Sequence, residues 1–175
     1  MTKTIRFGAA GIAMLSALGM STAAHADTAT ADATAEILEA LQLDLTDGAL
    51  DFGAIVVNGA DTLTLQANGV MDCANKQVVC SGAVDNPLFT VQGTDGKAVT
   101  INLPTASIDL TRVGGTVGTS ADTLTVDNFT SSEAGNEVTL SGGSATFTVG
   151  GTLDIGATQN AGIYEGTFDV SVDYS

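Results

Sequence analysis

Residues 162–175 read Gly-Ile-Tyr-Glu-Gly-Thr-Phe-Asp-Val-Ser-Val-Asp-Tyr-Ser, and from Tyr164 onward every second residue is apolar or glycine. Tyr164, Gly166, Phe168, Val170, Val172 and Tyr174 fall on one side; Glu165, Thr167, Asp169, Ser171 and Asp173 fall on the other. Successive side chains of a strand point to opposite faces, so this period of two predicts a strand half buried against a core. Only Ser175 follows Tyr174, so a neighbour for the strand's free edge is expected from elsewhere.

Working backward, the same short apolar alternation recurs at residues 50–57, 62–66, 77–81, 88–92, 98–103, 107–112, 123–127, 145–149 and 152–155. Asn58-Gly59, Asp95-Gly96, Gly114-Gly115 and Gly142-Gly143 supply turns, because Gly and Asn accept the positive φ that tight turns need. Pro87 can open a strand and Pro104 can end one, so neither removes a ladder hydrogen bond. After Leu41 no amphipathic helix is legible. Short strands at this spacing predict an all-β fold, a sandwich or barrel, and the chain is long enough for one domain.

The other end has a different character. Lys3 and Arg6, an apolar run over residues 7–20 and then Ala24-His25-Ala26 have the form of a secretory leader, so residues 1–26 are expected to be a cleaved signal peptide. What remains holds three basic residues, Lys76, Lys97 and Arg112, against twenty acidic ones, a formal charge of −17. Such a chain offers no cluster of cations for phosphate, so nucleic acid and anionic membrane surfaces are poor partners. The expected location is exported: periplasmic, on the cell surface or extracellular, with no membrane insertion of the mature chain.

Residues 27–37 form a candidate N-terminal extension ahead of a sandwich over residues 38–175. Within it Ala29, Ala31, Ala33, Ala35 and Ile37 alternate with Thr, Asp and Glu, a file of small apolar residues suited to lying in a groove. A disordered Ala-Thr tail is the other reading of the same residues. Alternation resumes at Leu41, Leu43 and Leu45.

Gly162, fourteenth from the end, and the penultimate Tyr174 give the ending a likeness to subunits of bacterial chaperone-usher pili. That resemblance implies an immunoglobulin-like, pilin-like sandwich whose missing strand is supplied by the next subunit. The candidate acceptor edge is then Gly162, Tyr164, Phe168, Val170, Val172 and Tyr174, and the candidate donor strand is Ala29, Ala31, Ala33, Ala35 and Ile37. Its partners would be like subunits and a periplasmic chaperone. More of the chain resembles a family of secreted bacterial proteins known as domain of unknown function 4402. The residues are Leu50-Asp51-Phe52-Gly53-Ala54-Ile55-Val56, Phe89-Thr90-Val91-Gln92-Gly93, residues 99–104, Val149-Gly150-Gly151-Thr152-Leu153 and the ending from Ala161 to Tyr174. This resemblance implies a single immunoglobulin-like or pilin-like β-domain and no catalytic residues. Where relatives often carry proline at the bend of the first strand, this chain has Ala40.

Cys73 and Cys80 are the only cysteines, and in an exported chain two cysteines so close most simply form a structural disulfide. Closing that loop is worth roughly 2.5 kcal/mol in the chain-entropy model. His25, in the leader, is the only histidine, so the mature chain lacks the imidazole of a Ser-His or Cys-His pair and of most zinc sites. No enzyme and no cofactor are expected. Calcium is the one ion left open, since residues 44–51 and 122–127 are rich in Asp, although neither run has the regular spacing of a calcium loop. The expected function is a structural subunit that polymerises by strand complementation. The alternative is a self-contained secreted sandwich, at a surface, in a matrix or binding carbohydrate, whose first strand pairs with its last.

Overall fold

Twelve residues, Ser144–Ile155, form one continuous strand on which the rest of the fold is arranged. The computed structural model describes residues 27–175, and the expected leader lies outside them. The chain divides into two units, Met1–Glu36 and Ile37–Ser175. In the first, residues 27–36 are exposed and carry neither strand nor helix. The second is all-β. Its strands are β1 (Gln42–Asp47), β2 (Ala54–Val57), β3 (Asp61–Leu65), β4 (Val78–Ser81), β5 (Leu88–Gln92), β6 (Ala98–Asn102), β7 (Ile108–Arg112), β8 (Thr123–Ser131), β9 (Glu137–Thr139), β10 (Ser144–Ile155), β11 (Tyr164–Glu165) and β12 (Ser171–Tyr174).

The strands make a sandwich with one long layer and a divided cover. The long layer is a seven-stranded antiparallel sheet in the order β1-β5-β10-β8-β7-β11, with β3 also on β10. Along one edge β10 pairs first with β5, from Ser144 to Thr148, and then with β3, from Gly151 to Ile155. The cover is a three-stranded sheet, β12-β6-β9, and a two-stranded one, β2-β4. Each encloses its own apolar cluster. Val91, Phe147 and Val149 of the long sheet meet Val99, Ile101 and Leu140, while Leu63, Leu65, Leu124, Val126, Leu153 and Ile155 meet Phe52 and Val78. Phe129 packs against both clusters. Phe147, Val149, Leu153 and Ile155 share one face of β10 because their spacing is even, so a single strand feeds both cores.

Four expected boundaries are corrected. Residues 145–149 and 152–155 are one strand, because Gly150-Gly151 stay extended inside the sheet instead of turning. A Cβ on Gly150 would lie 2.5 Å from the Ala67 nitrogen, so only glycine lets the end of β3 approach β10 so closely. Opposite them the β8 register slips by one residue, with Asn128 at φ 47 as the bulged residue that carries β8 on to Ser131. The expected strand at 50–57 is reduced to β2, since Gly53 sits at φ 69 with no room for a side chain against the carbonyls of Ser81 and Ala83. Residues 162–174 are two short strands in two different sheets, not one. Tyr164, Phe168, Val170, Val172 and Tyr174 are half-buried and their neighbours exposed, with Gly166 the exposed exception on that side. The alternation does not mark a continuous ladder, because the segment leaves β7 after Glu165 and joins β6 at Ser171. Finally, β1 pairs with β5 and β12 with β6, so the first and last strands do not pair.

Candidate functional site

The two halves of the cover differ in width, and the difference leaves an apolar groove. Among the described residues three strands lie over one cluster and two, β2 and β4, over the other. Beyond the outer edge of β2 the floor of the second cluster stays open as a groove of about 670 Å³. Leu110, Leu124, Leu153 and Ile155 form its floor, residues 50–57 one wall and residues 159–164 the other. Among the described residues β2 has only β4 as a ladder partner and β11 only β7, so both walls carry an unpaired strand edge. Unpaired N–H and C=O groups beside an exposed apolar floor are a template for strand addition. Val56, 57% exposed, and Ile163, 68% exposed, line the groove as well.

Each wall is braced from behind. β4 holds β2, with Cys80 opposite Ile55, and the Cys73–Cys80 disulfide closes the loop that leads into β4. The opposite wall is tied down by a polar network around Asp122, which is only 6% exposed. Arg112 Nε donates to its Oδ1 at 2.6 Å, Asn160 Nδ2 to the same oxygen at 2.7 Å and the Thr116 amide to Oδ2 at 2.9 Å. These donors, the guanidinium first, hold the carboxyl far below the usual carboxylate range. The Tyr164 hydroxyl lies within hydrogen-bonding distance of the carbonyls of Asn160, at 2.6 Å, and Ala121, at 3.0 Å. Burial, and then the charge of Asp122, raise its pKa. Gly162 completes the wall: a Cβ there would stand 2.8 Å from Arg112 Cδ, so the arginine stem crosses the space that a side chain would fill.

The residues expected to form one acceptor edge are therefore distributed. Gly162 and Tyr164 line the groove, whereas Val172 and Tyr174 lie on β12, with Phe168 and Val170 between, all against the other cluster. The Tyr174 hydroxyl accepts from the Thr94 amide at 2.8 Å and donates to the Glu39 carbonyl at 2.8 Å, and the Glu39 amide donates to Thr94 Oγ1 at 2.7 Å. Gly93 makes room for this clasp, since a Cβ would lie 2.5 Å from the hydroxyl oxygen. The donor file, Ala29, Ala31, Ala33, Ala35 and Ile37, is exposed throughout, Ile37 at 95%.

No local signal marks the Asp122 network, because the side chains that donate to it, Arg112 and Asn160, lie 10 and 38 residues from Asp122. Of the two Asp-rich runs, the second has Asp122 engaged by protein donors, and among the described residues no group of three or more His, Cys, Asp or Glu converges to hold a metal ion. A second, more open concavity of about 690 Å³ has Asp61, Asp109 and Asp154 in its lining. There Asp61 is already taken by the amides of Thr62 and Gln77 and by Lys76. Among the described residues no helix is long and apolar enough to cross a membrane. The closed disulfide accords with an oxidising, exported environment. A family model described as Domain of unknown function (DUF4402) matches residues 43–174, and no curated protein matches the chain.

Proposed function

The chain belongs to the DUF4402 family, and since that description carries no activity, we propose from the site itself that the protein is an exported structural subunit. Its role is to polymerise by strand complementation, in the manner of a pilus or fimbrial subunit. The observation that carries this reading is the apolar groove between the unpaired edges of β2 and β11. An extended segment with alternating small apolar side chains satisfies both features at once, its backbone pairing an edge and its side chains covering the floor. Residues 29–37 have that pattern. Before assembly the groove needs a temporary cover, which is the part a periplasmic chaperone plays. The protein is not an enzyme in this reading, and its leader is removed on export.

The test compares the chain beginning at residue 27 with one beginning at residue 38, by light scattering across a concentration series. The longer chain is expected to form a ladder of multimers and the shorter to stay folded and monomeric. Polymerisation of the shorter chain would sink the mechanism. A second reading, the self-contained sandwich, has one observation in its favour: Leu63, Leu65, Val91, Val99, Leu140 and Val149 are wholly buried without any added strand. It requires the longer chain to be monomeric at every concentration.

A further inference from the structure

Two Asn-Gly pairs, Asn58-Gly59 and Asn68-Gly69, lie in the loops on either side of β3. We propose that Asn58 is a site of covalent self-modification, converting to an aspartyl or isoaspartyl residue, and that the fold protects Asn68 from the same reaction.

The chemistry needs only the chain and water. Asparagine is a thermolabile side chain, and its weak point is the amide carbon Cγ, which lies within reach of the next residue's backbone nitrogen. When that nitrogen gives up its proton and attacks Cγ, a succinimide ring closes. The bond from Cγ to Nδ2 breaks, and Nδ2 takes up a proton and leaves as ammonia. Water then opens the ring, and nothing is oxidised or reduced. Cleaving the new bond at Cγ leaves aspartate. Cleaving the original peptide bond leaves isoaspartate, whose main chain runs through Cβ and Cγ and is longer by one carbon. A glycine in the next position favours closure, because it has no side chain to obstruct the attack and the widest choice of backbone angles.

What separates the two pairs is how the reacting atoms are held. The Gly69 amide donates to the Gln66 carbonyl at 2.9 Å, and Asn68 Oδ1 accepts from the Val70 amide at 3.1 Å. The Gln66 amide donates to the Val70 carbonyl at 2.9 Å and closes the loop around both. Attack at Asn68 therefore has to break the bond that engages the nucleophile and the bond that aims the side chain at Val70. Asn58 is exposed, in the link that carries the chain from β2 in the cover to β3 in the long sheet. Its backbone amide donates to the Gln77 carbonyl at 3.0 Å, but among the described residues neither its side chain nor the Gly59 amide makes a hydrogen bond.

The position makes the product matter. The bond from Asn58 to Gln77 is the rung just beyond Val57 and Val78, at the end of the β2–β4 ladder. A Cβ on Gly59 would stand 3.2 Å from Gln77 Cβ, so the link already passes close against Gln77. The Gln77 amide is held in turn by the Asp61 carboxylate, which also pairs with Lys76. An extra main-chain carbon at residue 58 has to push into this corner, and either product brings a new negative charge to it.

The experiment ages the chain as recovered after export in mildly alkaline buffer and follows both sites by peptide mass mapping, with isoaspartate scored by enzymatic methylation. Asn58 is expected to convert, and Asn68 to do so roughly thirtyfold more slowly, as two hydrogen bonds of ordinary net strength require. In urea the two sites are expected to convert at similar rates. An unmodified Asn58, or an Asn68 that converts as fast in the folded chain, would overturn the proposal. The same gap in urea would remove the fold as its cause. Amide exchange at residues 54–57 and 78–81 is expected to be faster in aged protein than in fresh protein, and to stay at the fresh rate in aged Asn58→Gln. Equal acceleration in that variant would disconnect Asn58 from the corner.

Discussion

Two glycines show how different demands on a backbone are met by the same residue. Gly150 lies in an extended strand, and what forbids a side chain there is the backbone of β3, with the Ala67 nitrogen 2.5 Å from where a Cβ would stand. Gly142 sits at φ 66 with nothing within 4 Å of the same position, so its demand is conformational only. Gly150→Val is therefore expected to lower unfolding stability by about 3 kcal/mol, and Gly142→Ala by about 1 kcal/mol, measured as urea midpoints. Equal effects would show that β3 yields. Asp122 sets a third requirement, this time on pH. Its carboxyl titrates far below its ordinary value of 3.8 when folded, chiefly because of Arg112, so in that window the unfolded chain binds more protons than the folded one. The associated stability is complete above the unfolded value and drains away as pH falls below it. Denaturation midpoints should drop below about pH 4 in the wild type. Asp122→Asn should begin lower at neutral pH and fall less steeply. A residual slope is expected, because the amides of Gln77 and Thr62 also lower the pKa of Asp61. An unchanged slope would remove Asp122 from the account.

At the level of elements, β2 has one ladder neighbour among the described residues, and that neighbour is held by the Cys73–Cys80 bond. Replacing both cysteines with serine should cost about 2.5 kcal/mol of stability in the chain-entropy model. Beyond that global loss, amide exchange should accelerate more at residues 54–57 and 78–81 than in β10, because the bond also braces β4 in the folded state. Uniform acceleration would mean that the bond acts on the unfolded chain alone. This pairing was legible in the sequence because two cysteines in an exported chain leave few choices. Most strands were legible too, since period-two burial leaves its trace wherever one face meets a core. Residues 88–92 matched β5 residue for residue. What could not be read was which strand pairs with which. Alternation at 162–174 records a dry face and a wet face but is silent on the step from β7 to β6, because burial continues while the ladder changes. Gly150-Gly151 has the same composition as a turn, and only the approach of β3 from elsewhere in the chain makes it a strand. The groove was harder still: it exists because one cover sheet has a strand fewer than the other, a property of no single segment.

For the whole molecule the dominant fact is charge, −17 for residues 27–175. Two copies that join bring like charge together, and the arm itself carries Asp27, Asp32, Glu36 and Glu39. At 0.01 M salt the screening length is about 30 Å, comparable to the length of β10, whereas at 0.15 M it is about 8 Å. Repulsion between copies should therefore be strong in dilute buffer and short-ranged at physiological salt. Strand addition itself draws on backbone hydrogen bonds and apolar cover, neither of which salt screens. Multimer formation is thus expected to rise with ionic strength between these limits, read as the weight-average mass in light scattering at fixed protein concentration. Substituting neutral residues for the arm's acids, Asp32→Asn with Glu36→Gln, should raise association at low salt and flatten the salt response. If added salt instead dissolves the multimers, ion pairs between copies hold them together, and the groove is not the joint.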